Sequence, residues 1–412
     1  MVGMTNDRLV LTINTGSSSL KFVLYAANKT PVPILRAQVN RIGAAGSRIR
    51  ITGADGAVQF ERETALADHA AALEAVLDQL ARNRALASLK GVGHRIVHGG
   101  ARYREPQWIT PELVDALRDL APLDPDHVPQ ALCGIDTIGR RFPDLPQAAC
   151  FDTAFHAGTP PRAEMYALPR RFYEAGIRHF GFHGLSYEYI VAVLREREPA
   201  LADGRLIVAH LGNGASVAAI RNGRSIDTSM GYTPAAGLVM STRCGDIDPG
   251  VLLDLAQQRG MDTDAINRLI NHESGLLGVS QRSADMRDLL EAEMSDSKAA
   301  EAIDMFCYRA RKYIGAYAAA LGGLDALVFT GGIGEHAATI RERICAGLEF
   351  LGIKLDATRN HAAATVISTD DSPVHVRVME TDENLMIARH TVELLNGGCH
   401  VRFQHRIVDC RR

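Results

Sequence analysis

Three short glycine-rich turns, each directly after an apolar run that is typical of a β-strand, constrain this chain most. They occupy residues 14–19, 210–214 and 331–335, and the last follows the apolar run 324–329. Glycine has no Cβ, so backbone N–H groups in such a turn can approach an anion closely, and a helix that starts after the turn adds its positive end. One such turn is weak support for any function, because glycine turns after strands are common. Three of them on one chain predict a nucleotide-binding site.

The segments around the first two turns share one order of strands and turns. Their predicted strands cover residues 9–14, 20–25 and 34–39 in the first segment, and 206–211, 215–220 and 225–228 in the second. Asn222 and Gly223 separate two of these strands, and this pair is typical of a two-residue hairpin. The repetition predicts two halves of similar architecture, with a chance likeness of two β-meanders as the alternative.

Helical periodicity recurs between strand-like runs along the whole chain. The predicted helices cover residues 66–80, 111–120, 187–195, 251–258, 299–321 and 383–395. Further predicted strands cover residues 91–97, 148–151 and 326–330. This mixture predicts an α/β fold with central sheets covered by helices, divided near residues 153–161, with the last helix packing back on the first half.

The composition excludes several classes of protein. At 412 residues the chain exceeds one ordinary core, so two domains are expected. With 45 Lys and Arg against 48 Asp and Glu, no basic excess indicates a nucleic-acid or membrane partner. The first eight residues lack the apolar core of a signal peptide, and no apolar run approaches the ~20 residues that span a bilayer. The seven cysteines show no metal-ligand or disulfide spacing, so a cytoplasmic location is expected.

Two arginines lie in glycine-rich segments where a guanidinium could reach a ligand. Arg95 lies within residues 93–100, and Arg243 lies within residues 241–250. A planar guanidinium matches the oxygens of a carboxylate or a phosphate. The alternative for Arg243 is an internal ion pair with Asp246 or Asp248.

Four other side chains are candidates for handling an anion or a metal ion. His183, in a glycine-flanked turn, could donate to a phosphoryl oxygen, although a lone histidine is more often structural. Asp152 ends an apolar strand, where ligands gather in α/β folds. Lys21 could contact phosphate or be a solvated strand residue. Glu383 could bind Mg²⁺ or cap the last helix.

Seven motifs in one order give the chain a resemblance to a known family. They occur at residues 14–21, 94–100, 151–156, 181–184, 210–216, 242–249 and 331–335. Together they resemble the acetate kinase family, also called acetokinases, which includes propionate kinases. The resemblance implies the acetate and sugar kinase, Hsp70 and actin fold: two domains with duplicated ribonuclease H-like cores and a nucleotide in the cleft between them. It places one domain at residues 1–153 with 385–412 packing back on it, and a nucleotide-binding and dimerisation domain at residues 154–384.

The resemblance also implies a role for each residue that matches a family motif. Asp152, His183 and Arg243 would be catalytic, and Asn14 and Glu383 would bind Mg²⁺ or Mn²⁺. Arg95 would bind the carboxylate or acyl phosphate. The pocket for the acyl group would be formed by Val97, Leu123, Phe182 and Pro234. ATP or ADP would contact Lys21, His210, Leu211, Gly212, Asn213, Gly214, Asp285, Met286, Arg287, Gly332, Ile333, Gly334, Glu335 and His336.

The chain departs from the usual pattern of this family at four places. Asp124 stands where an active-site histidine is usual, and His127 follows three residues later. Leu185 and Tyr187 replace the Thr and His of Thr-Ser-His, and His336 replaces an asparagine. The last helix begins Thr-Asp-Glu-Asn instead of Thr-Asn-Glu-Glu. The phosphoryl-handling residues are retained, so we expect these changes to affect substrate preference and rate rather than reaction type.

The expected reaction converts ATP and acetate or propionate into ADP and an acyl phosphate, reversibly and with Mg²⁺. A carboxylate with a pKa of ~4 is ionised at neutral pH, so the site needs cations rather than a base. One alternative is a nucleotide-dependent module of the same superfold that is not a kinase. Another is a butyrate-type kinase, which needs a roomier pocket. A homodimer is expected from the resemblance alone.

Overall fold

Two units, each built on its own sheet, make up the computed structural model, which describes residues 8–16, 18–82 and 85–397. The first unit runs to Ala154 and includes the chain from Asp382 onward, and the second is Phe155–Thr381. Ser17 of the first glycine turn, the seven N-terminal residues and the basic tail after Gly397 lie outside the described residues.

The described residues of the first unit form an eight-stranded sheet and four helices. Its strands are β1 (Leu9–Thr15), β2 (Ser19–Ala26), β3 (Val32–Asn40), β4 (Arg48–Gly53), β5 (Val58–Glu63), β6 (Leu89–Ile96), β7 (Gln107–Trp108) and β8 (Gln147–Phe151). Its helices, numbered along the whole chain, are α1 (His69–Arg82), α2 (Pro111–Leu120), α3 (Val128–Arg141) and α16 (Glu383–Asn396). The strands lie in the order β5-β4-β3-β2-β1-β6-β8-β7.

The last helix, α16, packs closely on the sheet of this unit. Apolar residues of α16, including Ala388 and Val392, share a buried cluster with Val10 of β1. A Cβ at Gly93 of β6 would lie 2.2 Å from Thr391 Oγ1. The close approach therefore requires glycine at residue 93, because any side chain there would displace the helix. This packing holds the first residue of α16 over the sheet.

The second unit contains a five-stranded sheet and twelve helices among the described residues. Its strands are β9 (Arg205–Leu211), β10 (Ala215–Arg221), β11 (Arg224–Thr228), β12 (Ala326–Thr330) and β13 (His375–Val378). Its helices are α4 (Pro161–Glu164), α5 (Arg170–Glu174), α6 (Gly184–Arg197), α7 (Pro199–Ala202), α8 (Pro249–Gln257), α9 (Thr263–His272), α10 (Gly275–Ser280), α11 (Met286–Ala292), α12 (Ser297–Leu321), α13 (Gly331–His336), α14 (Ala338–Cys345) and α15 (Ala357–His361). Short 3₁₀ turns lie at Ala85–Ser88 and Ala121–Leu123 in the first unit and at Glu349–Leu351 in the second. A further one, Ala154–His156, lies where the chain passes from the first unit to the second.

One strand topology recurs in both units. The order β3-β2-β1-β6-β8 in the first unit corresponds to β11-β10-β9-β12-β13 in the second. In each, two antiparallel pairings are followed by two parallel ones. The correspondence extends to the two parallel strands, which lie far along the chain from the repeated hairpins. A chance likeness of two β-meanders does not explain this, so the prediction of two similar halves is confirmed.

Local elements follow the sequence signals closely. Asn222 and Gly223 both have positive φ, at 53° and 67°, as the two-residue hairpin requires.

Among the described residues, no helix combines the length and apolar character that crossing a bilayer requires.

A buried histidine makes the stability of the first unit depend on pH. His94 is fully buried with its Nε2 atom 2.7 Å from Gln147 Oε1, and burial lowers its pKa to about 4 against the opposing effect of this hydrogen bond. The unfolded chain has an ordinary histidine pKa of ~6.5, so below that pH it binds a proton that the folded unit does not. We therefore expect proton uptake by His94 in the unfolded chain to lower the free energy of unfolding by about 3 kcal/mol as the pH drops from about 6.5 to about 4.

Urea unfolding monitored by the fluorescence of Trp108 tests this expectation, because Trp108 is the only tryptophan of the chain and lies in the same unit. The variant His94→Gln cannot gain the proton, so its free energy of unfolding should fall less steeply over this pH range. Equal slopes for the two proteins would contradict the expectation.

Candidate active site

Four polar side chains of the first unit meet at the carboxyl ends of its parallel strands. Asn14 lies at the end of β1, Arg95 lies at the end of β6, and Asp152 directly follows β8. Glu383 is the first residue of α16. Parallel strands in α/β sheets present their ligand-binding residues at this edge. The topology thus brings together residues that are far apart in the sequence.

These four side chains form a continuous chain of hydrogen bonds. Arg95 donates from Nε and Nη2 to the carboxylate of Asp152 at 2.5–3.1 Å. Its Nη1 atom donates to Asn14 Oδ1 at 3.2 Å. Asn14 Nδ2 donates to Glu383 Oε2 at 2.8 Å. The guanidinium is therefore fixed by two partners in the plane of its fork, which pre-organises it for an anion.

Burial and charge together keep Arg95 in its charged form. The Asp152 side chain is fully buried, and that of Arg95 is 14% exposed. Burial acts to lower the pKa of Arg95, but the carboxylates of Asp152 and Glu383 outweigh it and raise the pKa above its ordinary value. Burial raises the pKa of Asp152, and the guanidinium opposes that rise. Since Asp152 is occupied by Arg95, its position suits an orienting role better than that of a proton acceptor.

Lys21 lies next to this chain of hydrogen bonds. It is opposite Asn14 in the antiparallel pairing of β1 with β2, and its side chain is exposed. Opposite residues of an antiparallel pair project from the same face of the sheet. An ammonium in this position can reach an anion that lies beside Asn14.

Two histidines of the second unit stack at the second glycine turn, of which His210 is the first residue. The rings of His183 and His210 lie 4.2 Å apart at an angle of 24°. Each Nδ1 atom lies next to a serine hydroxyl, that of Ser216 at 2.8 Å for His183 and that of Ser186 at 2.9 Å for His210. A Cβ built on Gly214 would lie 3.2 Å from His183 Nε2. The Nε2 edge of His183 therefore borders the turn.

Arg243 approaches the same glycine. Its Nη1 atom lies 3.6 Å from the position of a Cβ on Gly214, and it donates to the carbonyl of Pro234 at 3.4 Å. Asp246 and Asp248, the carboxylates considered above as ion-pair partners of Arg243, accept hydrogen bonds from other groups. Asp246 accepts from the N–H of Gly237 at 2.9 Å and from Tyr313, and Asp248 accepts from the N–H of Gly250 at the start of α8. A guanidinium and an imidazole thus border one turn.

The backbone of His183 is strained. Its φ is 59°, in the left-handed region that residues with a side chain rarely adopt, and it immediately precedes α6. Such a conformation persists where the surrounding contacts fix it, and it is found disproportionately at functional sites. The observation favours the functional interpretation of His183 over the structural one.

The third glycine turn differs from the prediction in one respect. The helix α13 begins at Gly331 itself, and not after the turn, and the N–H of Gly331 donates to Glu335 Oε1 at 2.8 Å. Gly331 has a φ of 77°, and a Cβ there would lie 2.7 Å from the carbonyl oxygen of Leu211. The turn is therefore held against the end of β9. At Gly332, by contrast, nothing lies within 4 Å of the Cβ position, which leaves room for a ligand.

Sequence reasoning missed the arginine that supports this turn. Arg341 is fully buried on α14 and donates from Nη1 to the carbonyls of Gly334 and Glu335, both at 2.9 Å. Its Nε atom donates to Asn360 Oδ1 at 2.8 Å. Burial lowers the pKa of Arg341. A single arginine in an otherwise ordinary helix gave no signal of this role.

The remaining predicted site residues are distributed over both units. Val97 is buried and Leu123 half-buried in the first unit, and Phe182 and Pro234 are buried in the second. Asp285 caps α11 through the N–H of Arg287, whose side chain pairs with Asp285 and is 86% exposed. Met286 is buried, and His336 is exposed at the end of α13.

A family model described as the acetokinase family matches residues 9–389. The chain belongs to the acetokinase family. The acetate kinase of Methylocella silvestris is 46% identical over 95% of this chain and 98% of its own length. The crystal structure of Porphyromonas gingivalis acetate kinase is similar, with a TM-score of 0.83 and 40% identity over 94% of this chain and 99% of the other. A Francisella tularensis propionate kinase structure has a TM-score of 0.87 and 36% identity over 94% and 99%.

As an acetokinase, the chain is a phosphotransferase that uses ATP or ADP as co-substrate and a carboxyl group as acceptor, in the class of short-chain carboxylate kinases. Its fold is the acetate and sugar kinase, Hsp70 and actin fold, as the repeated strand topology and the similar kinase structures indicate.

One departure from the usual acetokinase pattern brings a carboxylate and an imidazole together. Asp124 replaces the expected histidine and is buried, with His127 Nδ1 2.7 Å from its Oδ1 atom. The charge of Asp124 acts on Arg95, and that of His127 acts on Asp152. An imidazole is thus retained near the Arg95–Asp152 pair, although it comes from three residues further along the chain.

Proposed function

We propose that this acetokinase transfers the γ-phosphoryl group of ATP to acetate or propionate, giving ADP and an acyl phosphate, and that it catalyses the reverse reaction as well. The observation that carries the proposal is the guanidinium of Arg95, held by Asp152 and Asn14 at the ligand-binding edge of the first sheet. The relatives named acetate kinase and propionate kinase support the same pair of acceptors.

The proposed mechanism depends on cations rather than on a base. The acceptor carboxylate is ionised at neutral pH and needs no deprotonation. Its obstacle is repulsion from the phosphate that it attacks. Arg95 would hold the carboxylate, and Arg243 with the Nε2 edge of His183 would donate to the phosphoryl oxygens as charge moves onto them. Asp152 would act by keeping the fork of Arg95 in position.

The residues Asn14 and Glu383 fit a site for Mg²⁺. Glu383 offers a carboxylate and Asn14 an amide oxygen, both hard donors, and Asn14 Nδ2 donates to Glu383 Oε2 while Asn14 Oδ1 accepts from Arg95 Nη1. Among the described residues, no three acidic, histidine or cysteine side chains form a closed cage for a metal. Mg²⁺ is commonly held by one or two protein oxygens together with substrate phosphates, which agrees with this sparse donor set. When bound, it would neutralise negative charge on the phosphates.

The acyl pocket is proposed to be formed by Val97, Leu123, Phe182 and Pro234. All four are apolar residues, as a pocket for a methyl or an ethyl group would require. One methylene in such a pocket changes discrimination by only ~1–3 kcal/mol, so acetate and propionate are both expected to react.

A panel of short carboxylates, assayed with ATP and Mg²⁺ by trapping the acyl phosphate as its hydroxamate, tests the proposal. Acetate and propionate are expected to give product, and longer or branched acids are expected to give less. Faster turnover with butyrate would favour the butyrate-type alternative. A protein that hydrolysed ATP but gave no hydroxamate with any acid would favour a nucleotide-dependent module without kinase activity.

We also propose that residues 154–384 bind the nucleotide and form a homodimer through α8 and α9. Neither helix buries any residue within the chain, although α8 is largely apolar. The side chains of Ile247, Val251 and Leu253 are 38%, 46% and 58% exposed. Adjacent apolar residues that remain exposed favour association with another surface. An interface between two copies related by two-fold symmetry would bury each of these residues in both copies.

Replacing Leu253 by glutamate is expected to raise the dissociation constant of the dimer at least about 100-fold, because two charges would enter an apolar interface. Light scattering after size-exclusion chromatography measures the change. The matched control is Met294→Glu, since Met294 is 96% exposed after α11 and should tolerate the charge. An unchanged dimer in the Leu253 variant would place the interface elsewhere.

The protein is also proposed to work in the cytoplasm. Among the described residues, Cys133, Cys150, Cys244, Cys307 and Cys345 are thiols rather than halves of disulfides, as expected in a reducing compartment.

A further inference from the structure

Three side chains of the second unit form a line of hydrogen bonds that ends at the imidazole of His183. In the proposed function, this imidazole donates to the phosphoryl oxygens. Tyr187 of α6 and Ser216 of β10 are both fully buried. The hydroxyl of Tyr187 lies within hydrogen-bonding distance of Ser216 Oγ. Ser216 Oγ lies 2.8 Å from His183 Nδ1. The three groups therefore form one relay: phenol, alcohol and imidazole.

We propose that Tyr187 is a positioning residue that fixes the tautomer of His183 through Ser216, so that the neutral imidazole carries its proton on Nε2. The importance of this tautomer for catalysis rests on the proposed function. The direction of the hydrogen bonds themselves does not depend on it.

The chemistry of the three groups sets the direction of the relay. A phenol is a stronger acid than an alcohol, so the hydroxyl of Tyr187 is the better donor and donates to Ser216 Oγ. A serine hydroxyl has only one hydrogen, which is then left for His183 Nδ1. When Nδ1 accepts, the proton of the neutral ring is on Nε2. The outcome is a donor at the atom that borders the glycine turn.

The position of Nε2 allows this tautomer to donate a hydrogen bond to an anion. The Cβ position of Gly214 lies 3.2 Å from His183 Nε2 and 3.6 Å from Arg243 Nη1. An N–H at Nε2 therefore stands beside a guanidinium, and both can donate to one anion. The other tautomer would present a lone pair at this place and repel the anion. Donors that are aimed in advance at developing negative charge are a major source of catalytic rate.

Tyr187 is held rigidly enough to set the relay. Its backbone N–H donates to the carbonyl of His183 at 3.1 Å, and its ring contacts Phe155 and His156 with centroid distances of 6.1 and 5.6 Å. Its side chain therefore has little freedom to turn away from Ser216. The phenol of tyrosine has one hydrogen to donate, which suits the direction from Tyr187 to Ser216.

The neighbouring histidine provides an internal control. His210 also has a serine hydroxyl at Nδ1, that of Ser186 at 2.9 Å. The hydroxyl of Tyr187 bonds to Ser216, the serine of His183, whereas Ser186 is the serine at His210. A change confined to the hydroxyl of Tyr187 should therefore alter the tautomer of His183 and leave that of His210 unchanged.

The test uses the full-length protein labelled with ¹⁵N in its histidine rings, with the signals of His183 identified from their loss in His183→Asn. In the wild type, His183 is expected as a single tautomer protonated at Nε2. In Tyr187→Phe, this preference should be lost, and kcat should fall about tenfold while the KM values for ATP and acetate change less than about twofold. The matched control is Tyr189→Phe on the same helix, which should keep the tautomer and kcat.

Two outcomes would overturn the proposal: a wild-type His183 protonated at Nδ1, or a Tyr187→Phe variant with the original tautomer and kcat. If Tyr187→Phe does not fold, Ser216→Ala breaks the same relay at its centre and should give the same loss of tautomer preference. A wild-type protein that forms no acyl phosphate would overturn the proposed function instead. The tautomer of His183 would still decide whether the relay exists.

Discussion

Replacing Arg95 by glutamine is expected to lower kcat/KM for the carboxylate by a factor on the order of 10³, because it removes the buried cation proposed to hold the acceptor. Glutamine keeps an amide N–H₂ donor, but it is shorter than arginine and carries no charge. Its amide cannot offset the repulsion between the carboxylate and the phosphate. Initial rates at varied acetate and saturating ATP measure the loss, which should appear mainly in the carboxylate parameters.

The same replacement should also destabilise the first unit, for a separate reason. Asp152 is fully buried, and its main cationic partner would be gone. Breaking a buried ion pair in this way typically costs 3–5 kcal/mol, so we expect the free energy of unfolding to fall by about that amount. Urea unfolding followed by Trp108 fluorescence reports on this unit.

The double variant Arg95→Gln with Asp152→Asn separates the two effects. It replaces the ion pair by two neutral amides that can bond to each other, so it should recover most of the lost stability without recovering activity. If it regained the activity as well, Arg95 would have only a structural role. If it regained neither, the lost activity of the single variant would be explained by misfolding.

Replacing His183 by asparagine is expected to lower kcat about 10²- to 10³-fold, with little change in KM for ATP. The proposed contribution of His183 is a hydrogen bond that strengthens as charge moves onto the phosphoryl oxygens. Its loss should therefore affect the transition state more than ground-state binding. Asparagine tolerates the left-handed backbone at φ 59°, so the turn before α6 should keep its shape.

A matched control for this variant is His361→Asn, since His361 is exposed at the end of α15. Its steady-state parameters should equal those of the wild type. A His183→Asn variant with wild-type kcat would contradict the role of His183. So would one in which kcat is retained and only KM for ATP rises, because that pattern indicates uniform binding of the nucleotide.

Elements with regular hydrophobic periodicity could be predicted closely from the sequence. The bounds of α2 and β12 match the predicted ranges 111–120 and 326–330. These elements have the alternation or helical spacing that burying one face requires. The predictions omitted β4, β5 and α3. In β5 most residues are exposed, so no apolar alternation marks it. In α3 a proline near its start and two glycines weaken the helical signal.

The candidate residues of the site could be predicted individually, but their contacts could not. Arg95 bonds to Asn14 across 81 residues and to Asp152 across 57. These separations are closed only when β1, β6 and β8 pair in parallel, and no local pattern specifies that register. The helix at Gly331 is likewise a tertiary effect, because glycines disfavour helix and the buried Arg341 holds the carbonyls of this segment.

The most direct test of the central claim follows oxygen from the acceptor into the product. The protein is incubated with ATP, Mg²⁺ and acetate labelled with ¹⁸O in both carboxyl positions, and the acyl phosphate is then cleaved by hydroxylamine at its carbonyl carbon. If the carboxylate attacks the γ-phosphorus, the released phosphate carries one ¹⁸O atom, visible as a shifted ³¹P signal. Phosphate without the label, formed with or without acetate, would contradict transfer to the carboxylate.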